Sequence, residues 1–190
     1  LAEGHRTFGE NYVQEAAAKW PDLRARFGAV SLHMIGPLQS NKTRPVAEHF
    51  AWVHSVERLK IAERLADQRP ARLPPLNVCV QVNVSGEASK SGCAPAEVPA
   101  LCRAVAALPR LRLRGLMAIP EPVAGAGENS ALARRRFAGL RALRDALNAA
   151  GLALDTLSMG MSDDLEDAIL EGATIVRVGT AIFGERTYQQ

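Results

Sequence analysis

The chain has 190 residues, 47% of them hydrophobic, enough for one well-buried core and short for two independent ones. The net charge of +3 comes from acidic and basic residues interleaved along the chain, and the one dense basic run is Arg134, Arg135 and Arg136, so no nucleic-acid footprint is present. No stretch approaches the ~20 apolar residues of a membrane span, no leader pattern opens the chain, and Cys79, Cys93 and Cys102 match no metal or redox spacing, so the expectation is a cytoplasmic single domain, 1–190.

From the N-terminus, apolar β-rich segments recur at 7–8, 32–35, 51–56, 76–84, 111–119, 156–159 and 174–178, which predicts seven strands. Helical spacing lies between them. Leu59, Ala62, Leu65 and Ala66 mark a helix after Glu57, and Val98, Leu101, Cys102, Val105 and Leu108 mark another over 97–108. Leu132, Phe137, Leu140, Leu143 and Leu147 mark a longer one that ends before Gly151. Such βα alternation builds a parallel sheet, open or closed. Closure is favoured, because no Gly-x-Gly-x-x-Gly follows the first strand and the glycine signals suited to phosphate follow the last two strands. The predicted fold is therefore an α/β (β/α)8 TIM-type barrel. Seven βα units fall one short of eight, and Leu1-Ala2-Glu3-Gly4-His5 looks like the end of a helix, so the barrel's first strand is expected upstream of Leu1 and the domain is read as N-terminally incomplete.

The polar positions cluster after strands. Asn11, in Phe8-Gly9-Glu10-Asn11-Tyr12, can cap the helix that follows. His33 alternates with Leu32 and Met34, which suits the barrel lumen or a satisfied core histidine, and the loop from Gly36 to Lys42 is too polar for a minimal turn. Asn83, Ser89, Lys90 and Ser91 close the fourth strand in the same manner. In Leu157-Ser158-Met159-Gly160-Met161-Ser162-Asp163-Asp164-Leu165-Glu166 two readings stand: Asp163 and Glu166 form a capping box, or Ser158 and the amides around Gly160 face an anion. Arg177 alternates with Val176 and Val178 and is expected in the lumen, where its guanidinium needs a ligand or a carboxylate as acceptor. Gly179 permits close backbone approach and Thr180 adds a hydroxyl, so the loops after the last two strands form one phosphate cradle.

Taken in order, Phe8-Gly9-Glu10-Asn11-Tyr12, His33 to Lys42, Ser89-Lys90-Ser91-Gly92, Leu116-Met117-Ala118-Ile119, Ser158 to Asp163 and Arg177 to Gly184 resemble the pyridoxal phosphate homeostasis protein family, whose fold is similar to the N-terminal barrel of alanine racemase. The resemblance implies pyridoxal phosphate as cofactor. It implies that Ser158, Gly179 and Thr180 hold the phosphate, that Arg177 lies by the pyridine nitrogen, and that Asn11, His33 and Asn83 lie near the ring. The family's Schiff-base lysine lies on the first barrel strand, and none of Lys19, Lys42, Lys60 and Lys90 replaces it in this chain. The implied role is a monomeric carrier that buffers the cofactor and passes it to apo-enzymes, with no catalytic residue assigned. A fold-type III amino-acid racemase is the alternative, and a barrel enzyme acting on a phosphorylated metabolite is a third reading.

Overall fold

In the computed structural model, which describes residues 1–86, 91–120 and 128–184, seven strands form one sheet in sequence order, β1 to β7, every neighbouring pair parallel. The strands are β1 (Thr7–Glu10), β2 (Ser31–Met34), β3 (Trp52–Val56), β4 (Leu76–Gln81), β5 (Leu111–Met117), β6 (Thr156–Met161) and β7 (Ile175–Arg177). Helices α1 (Val13–Phe27), α2 (Thr43–His49), α3 (Leu59–Gln68), α4 (Val98–Ala106), α5 (Glu128–Ala149) and α6 (Leu165–Leu170) connect them, and a single turn, α7 (Thr180–Phe183), follows β7. This is the predicted βα barrel, nearly closed, with β1 and β7 as its two edges among the described residues. No helix of the described residues is long and apolar enough to cross a membrane.

Strand alternation decides what fills each side of the sheet. On β4, Leu76, Val78 and Val80 are fully buried against the helices, while Asn77, Cys79 and Gln81 turn the other way. The outer layer is apolar: Leu32, Met34, Val53, Leu76 and Val78 pack under α1 to α3, and Val80, Leu116, Leu157 and Met159 pack under α4 to α6. The inner layer is polar. The helices follow the predicted periods with adjustments at their ends. In α3 the buried stripe is Ile61, Ala62, Leu65 and Ala66, with Leu59, the first residue of the helix, exposed. Helix α4 stops at Ala106, ahead of Leu108, whose backbone is biased away from helix by Pro109.

Two predicted caps are corrected. The residue preceding α1 is Tyr12, and no side-chain cap bond is made there, so Asn11 lies one position too early. At α6 the cap position is Asp164 in place of Asp163. Its carboxylate turns back to accept the Met161 amide at 2.6 Å, and no Asp163–Glu166 box forms.

Candidate functional site

A chain of polar side chains crosses the lumen, contributed by four different strands. The Ser31 hydroxyl lies 3.1 Å from His33 Nε2, His33 Nδ1 lies 2.9 Å from His54 Nε2, and His54 Nδ1 lies 2.7 Å from Ser158 Oγ. Arg177 Nη1 donates to that same Ser158 oxygen at 2.6 Å, and its Nη2 donates to the Ala118 carbonyl at 2.8 Å. His33, His54 and Ser158 are buried. Below them Trp52 forms a floor: its ring stacks on His33 at 5.2 Å, Arg114 lies over it at 4.8 Å, and Arg114 is held by Asp155 and by Asn77 Oδ1.

Burial dominates the electrostatics. It lowers His33 from 6.5 to about 4, and it lowers His54 to about 3, with His33 and Arg177 each adding positive charge that opposes protonation. Both imidazoles are therefore neutral at pH 7. Arg177 is lowered to about 10 by the same desolvation, against which Asp164 and Cys79 act, and it stays charged. Its bonded partners among the described residues are a hydroxyl and a carbonyl, both uncharged.

A second group lies where β6 and β7 end. Gly160 has φ 93, a left-handed conformation, and a Cβ there would meet the Ala168 side chain, so a glycine lets the strand end bend beneath α6. The bend brings Ser162 towards the turn after β7: its Oγ is 3.5 Å from Thr180 Oγ1 and 3.4 Å from the Ala181 amide. Next to them Gly179 is exposed, and a Cβ built on it would meet nothing within 4 Å. The hydroxyls of Ser162 and Thr180 and this open glycine are a donor set that suits a phosphate.

The sequence-derived candidates are thus distributed. His33, Ser158 and Arg177 come together in the lumen, and Gly179 and Thr180 come together at the mouth with Ser162. Ser158 pairs in register with Ile175, back along the strand from that mouth, and its hydroxyl is engaged by His54 and Arg177. The Met161 amide, counted among those facing an anion, is taken by Asp164. Asn11 follows β1, with its backbone packed so closely on Gly36 that a Cβ on Gly36 would collide with it. Asn83 accepts the Gly86 amide in its own turn. Ser89 and Lys90 lie outside the described residues. Two residues escaped the sequence reading. His54 shares the alternation of Trp52, a signal present in the chain, and Ser162 is the first residue beyond β6, which runs two positions further than expected.

An apolar groove of about 270 Å³ between α1 and α2, lined by Val13, Trp20, Leu32, Pro45 and Phe50, lies on the outer side of the barrel. Its arginine, Arg24, is engaged by the His49 carbonyl, so the groove offers no comparable set of donors. No group of three or more His, Cys, Asp or Glu among the described residues could hold a metal ion.

The sequence model of the alanine racemase N-terminal domain matches residues 1–187. A pyridoxal phosphate homeostasis protein of Pseudomonas aeruginosa is 65% identical over 188 residues, spanning 98% of this chain and 77% of that protein. The chain belongs to this family. The family member of the same name from Escherichia coli K12 is 55% identical over 192 residues, spanning 98% of this chain and 79% of its own. Among solved structures, PipY of Synechococcus elongatus, determined with PLP bound, superposes with a TM-score of 0.85 at 39% identity, over 96% of this chain and 84% of PipY. Alanine racemase of Clostridium difficile, at 14% identity and a TM-score of 0.77, shares the barrel fold.

Proposed function

We propose that this member of the pyridoxal phosphate homeostasis protein family binds pyridoxal phosphate at the C-terminal mouth of its barrel and acts as a carrier that buffers the cofactor. The observation that carries this reading is Arg177: a half-buried cation whose bonded partners among the described residues are a hydroxyl and a carbonyl oxygen, set beside a cluster of hydroxyls. An unprotonated pyridine nitrogen is a neutral lone pair that accepts from a guanidinium, so ring and arginine suit each other. We assign the phosphate to Ser162, Thr180 and the Gly179 backbone, with Ser158 supporting Arg177 from below. We assign Asn11, His33 and Asn83 to the ring side of the mouth. PipY, solved with PLP bound, lends the reading independent support.

Bound pyridoxal phosphate supplies an amine-reactive aldehyde and an electron-withdrawing ring, and a turnover enzyme would need protein groups that move protons beside it. Few such groups are available in this reading. The two lumen histidines bond to each other, Tyr12 is exposed, and an arginine at the ring nitrogen favours its unprotonated form, a weaker electron sink. Lys19, on α1, is paired with Glu10 of β1, Lys42 closes a short turn before α2, and Lys60 is exposed on α3, so we assign covalent attachment to none of them. We read residues 1–190 as one cofactor-binding domain, a monomer, serving apo-enzymes in the cytoplasm, a compartment that suits three buried free cysteines.

The test is a pyridoxal phosphate titration followed by absorbance. Arg177→Ala is expected to weaken binding about tenfold to hundredfold, the scale of a lost hydrogen bond to a charged donor, and to shift the band. Arg135→Ala, on the exposed side of α5, is expected to do neither. Equal affinities for the two variants would remove Arg177 from the site.

A further inference from the structure

An arginine donates hydrogen bonds and accepts none. Since Arg177 Nη1 lies 2.6 Å from Ser158 Oγ, the hydroxyl oxygen must be the acceptor there, and its own proton must go elsewhere. Among the described residues the other side chain in reach is His54, whose Nδ1 is 2.7 Å away. His54 Nδ1 therefore carries no hydrogen and accepts from Ser158, which puts the His54 proton on Nε2. From Nε2 it donates to His33 Nδ1 at 2.9 Å, so His33 in turn carries its proton on Nε2 and donates to the Ser31 hydroxyl at 3.1 Å. One fact about arginine thus orients every proton in a row of four side chains from β2, β3 and β6. The opposite polarity would place an N–H of His54 and an N–H of Arg177 on the same oxygen and leave the buried Ser158 proton without an acceptor among the described residues. Protonating His54 would do the same.

We propose that His54, backed by His33 and Ser31, is a positioning residue for Arg177: it fixes the Ser158 hydroxyl so that a lone pair faces the guanidinium and sets the angle at which that guanidinium meets the cofactor ring. This role rests on the assignment of Arg177 to the pyridine nitrogen made above. Among the described residues the groups turned towards His54 are His33 from β2, the Trp52 ring, Ser158 from β6 and Arg177 from β7, and the two titratable ones, His33 and Arg177, both favour the neutral ring that the relay needs. Its consequence is specific to one nitrogen. Asparagine in place of His54 can present its Oδ1 where Nδ1 lies, whereas leucine fills the space without an acceptor.

The first measurement is made on the wild-type protein without cofactor: nitrogen-15 NMR of the histidine rings at pH 7. Both His33 and His54 are expected as neutral rings protonated at Nε2, and a proton on His54 Nδ1, or a cationic ring, would overturn the relay. The second is a pyridoxal phosphate titration of wild type, His54→Leu and His54→Asn, with the absorbance band recorded at saturation. His54→Leu is expected to bind about tenfold more weakly with a displaced band, and His54→Asn to remain within about threefold of wild type with the band restored. A folded His54→Leu protein with wild-type affinity and spectrum would overturn the positioning role while leaving the cofactor reading intact. Failure of the wild type itself to bind would overturn the cofactor reading and the role together, and the tautomer pattern would then describe a structural row only. Should the leucine variant not fold, the tautomers and the asparagine variant decide.

Discussion

His33 and His54 are two imidazoles enclosed in a barrel whose inner wall also carries Arg114 and Arg177, and their neutrality links folding to pH. Their folded values, about 4 and about 3, lie below the 6.5 of an unfolded chain. The unfolded state therefore binds more protons below 6.5, and the stability that the neutral rings contribute is complete above that pH and lost as the pH falls towards 4. Each histidine contributes up to about 1.4 kcal/mol per pH unit in that window. Between pH 7 and pH 5, above the range where most carboxylates protonate, the free energy of unfolding in urea is expected to fall by about 2–4 kcal/mol. Replacing His54 by leucine is expected to flatten the curve; an equally steep curve would assign the dependence to other groups.

Strand β5 illustrates how one residue redirects an element. Val78 pairs with Leu113 but Cys79 pairs with Gly115, so Arg114 is the extra residue of a bulge, and its side chain reaches Trp52, Asn77 and Asp155 on the lumen floor. Gly115 lies so close to the Thr156 carbonyl that a Cβ would overlap it. Gly115→Ala is expected to cost about 1–3 kcal/mol, since backbone on a paired strand cannot yield as a side chain can. Gly139 offers the contrast. It is exposed within α5, with open space around its Cβ position, so Gly139→Ala is expected to stabilise by about 0.5–1 kcal/mol. Chemical denaturation of both variants checks the pair, and a mild Gly115→Ala phenotype would mean that β5 and β6 can part at that point.

Across the whole molecule, the apolar layer lies outside the sheet and the polar one inside it, so the barrel is held by its helices and its lumen is left for function. Contact with helices is unequal around the ring. Strands β3, β4 and β5 have neighbours on both sides and several fully buried residues each, whereas β1 and β7 are edges and the three residues of β7 are only half-buried. In the 190-residue chain, amide hydrogen exchange is expected to be slowest in β3 to β5 and faster in β1 and β7. Uniform protection would indicate a single cooperative unit that includes the edges.

The alternation of apolar strands and amphipathic helices determined the parallel βα sheet by itself, because burial of one face per element is a local property written in periods of two and 3.6, and the placing of the glycine signals after the last two strands pointed to its closure. Even the bulge is written there: Leu111 and Leu113 share a face with Leu116 and Ala118, a shift of one position that marks the extra residue. His33 and Arg177 were legible as lumen residues for the same reason. Alternation gives the face of a residue, and it does not give its partner or its height along the barrel. Only the tertiary structure could set Ser158 against His54, 104 residues away in the chain, and carry Ser162 past the end of β6 to Thr180. Those distances depend on the stagger between strands and on the left-handed turn at Gly160, which are fixed when the sheet curls and the helices dock.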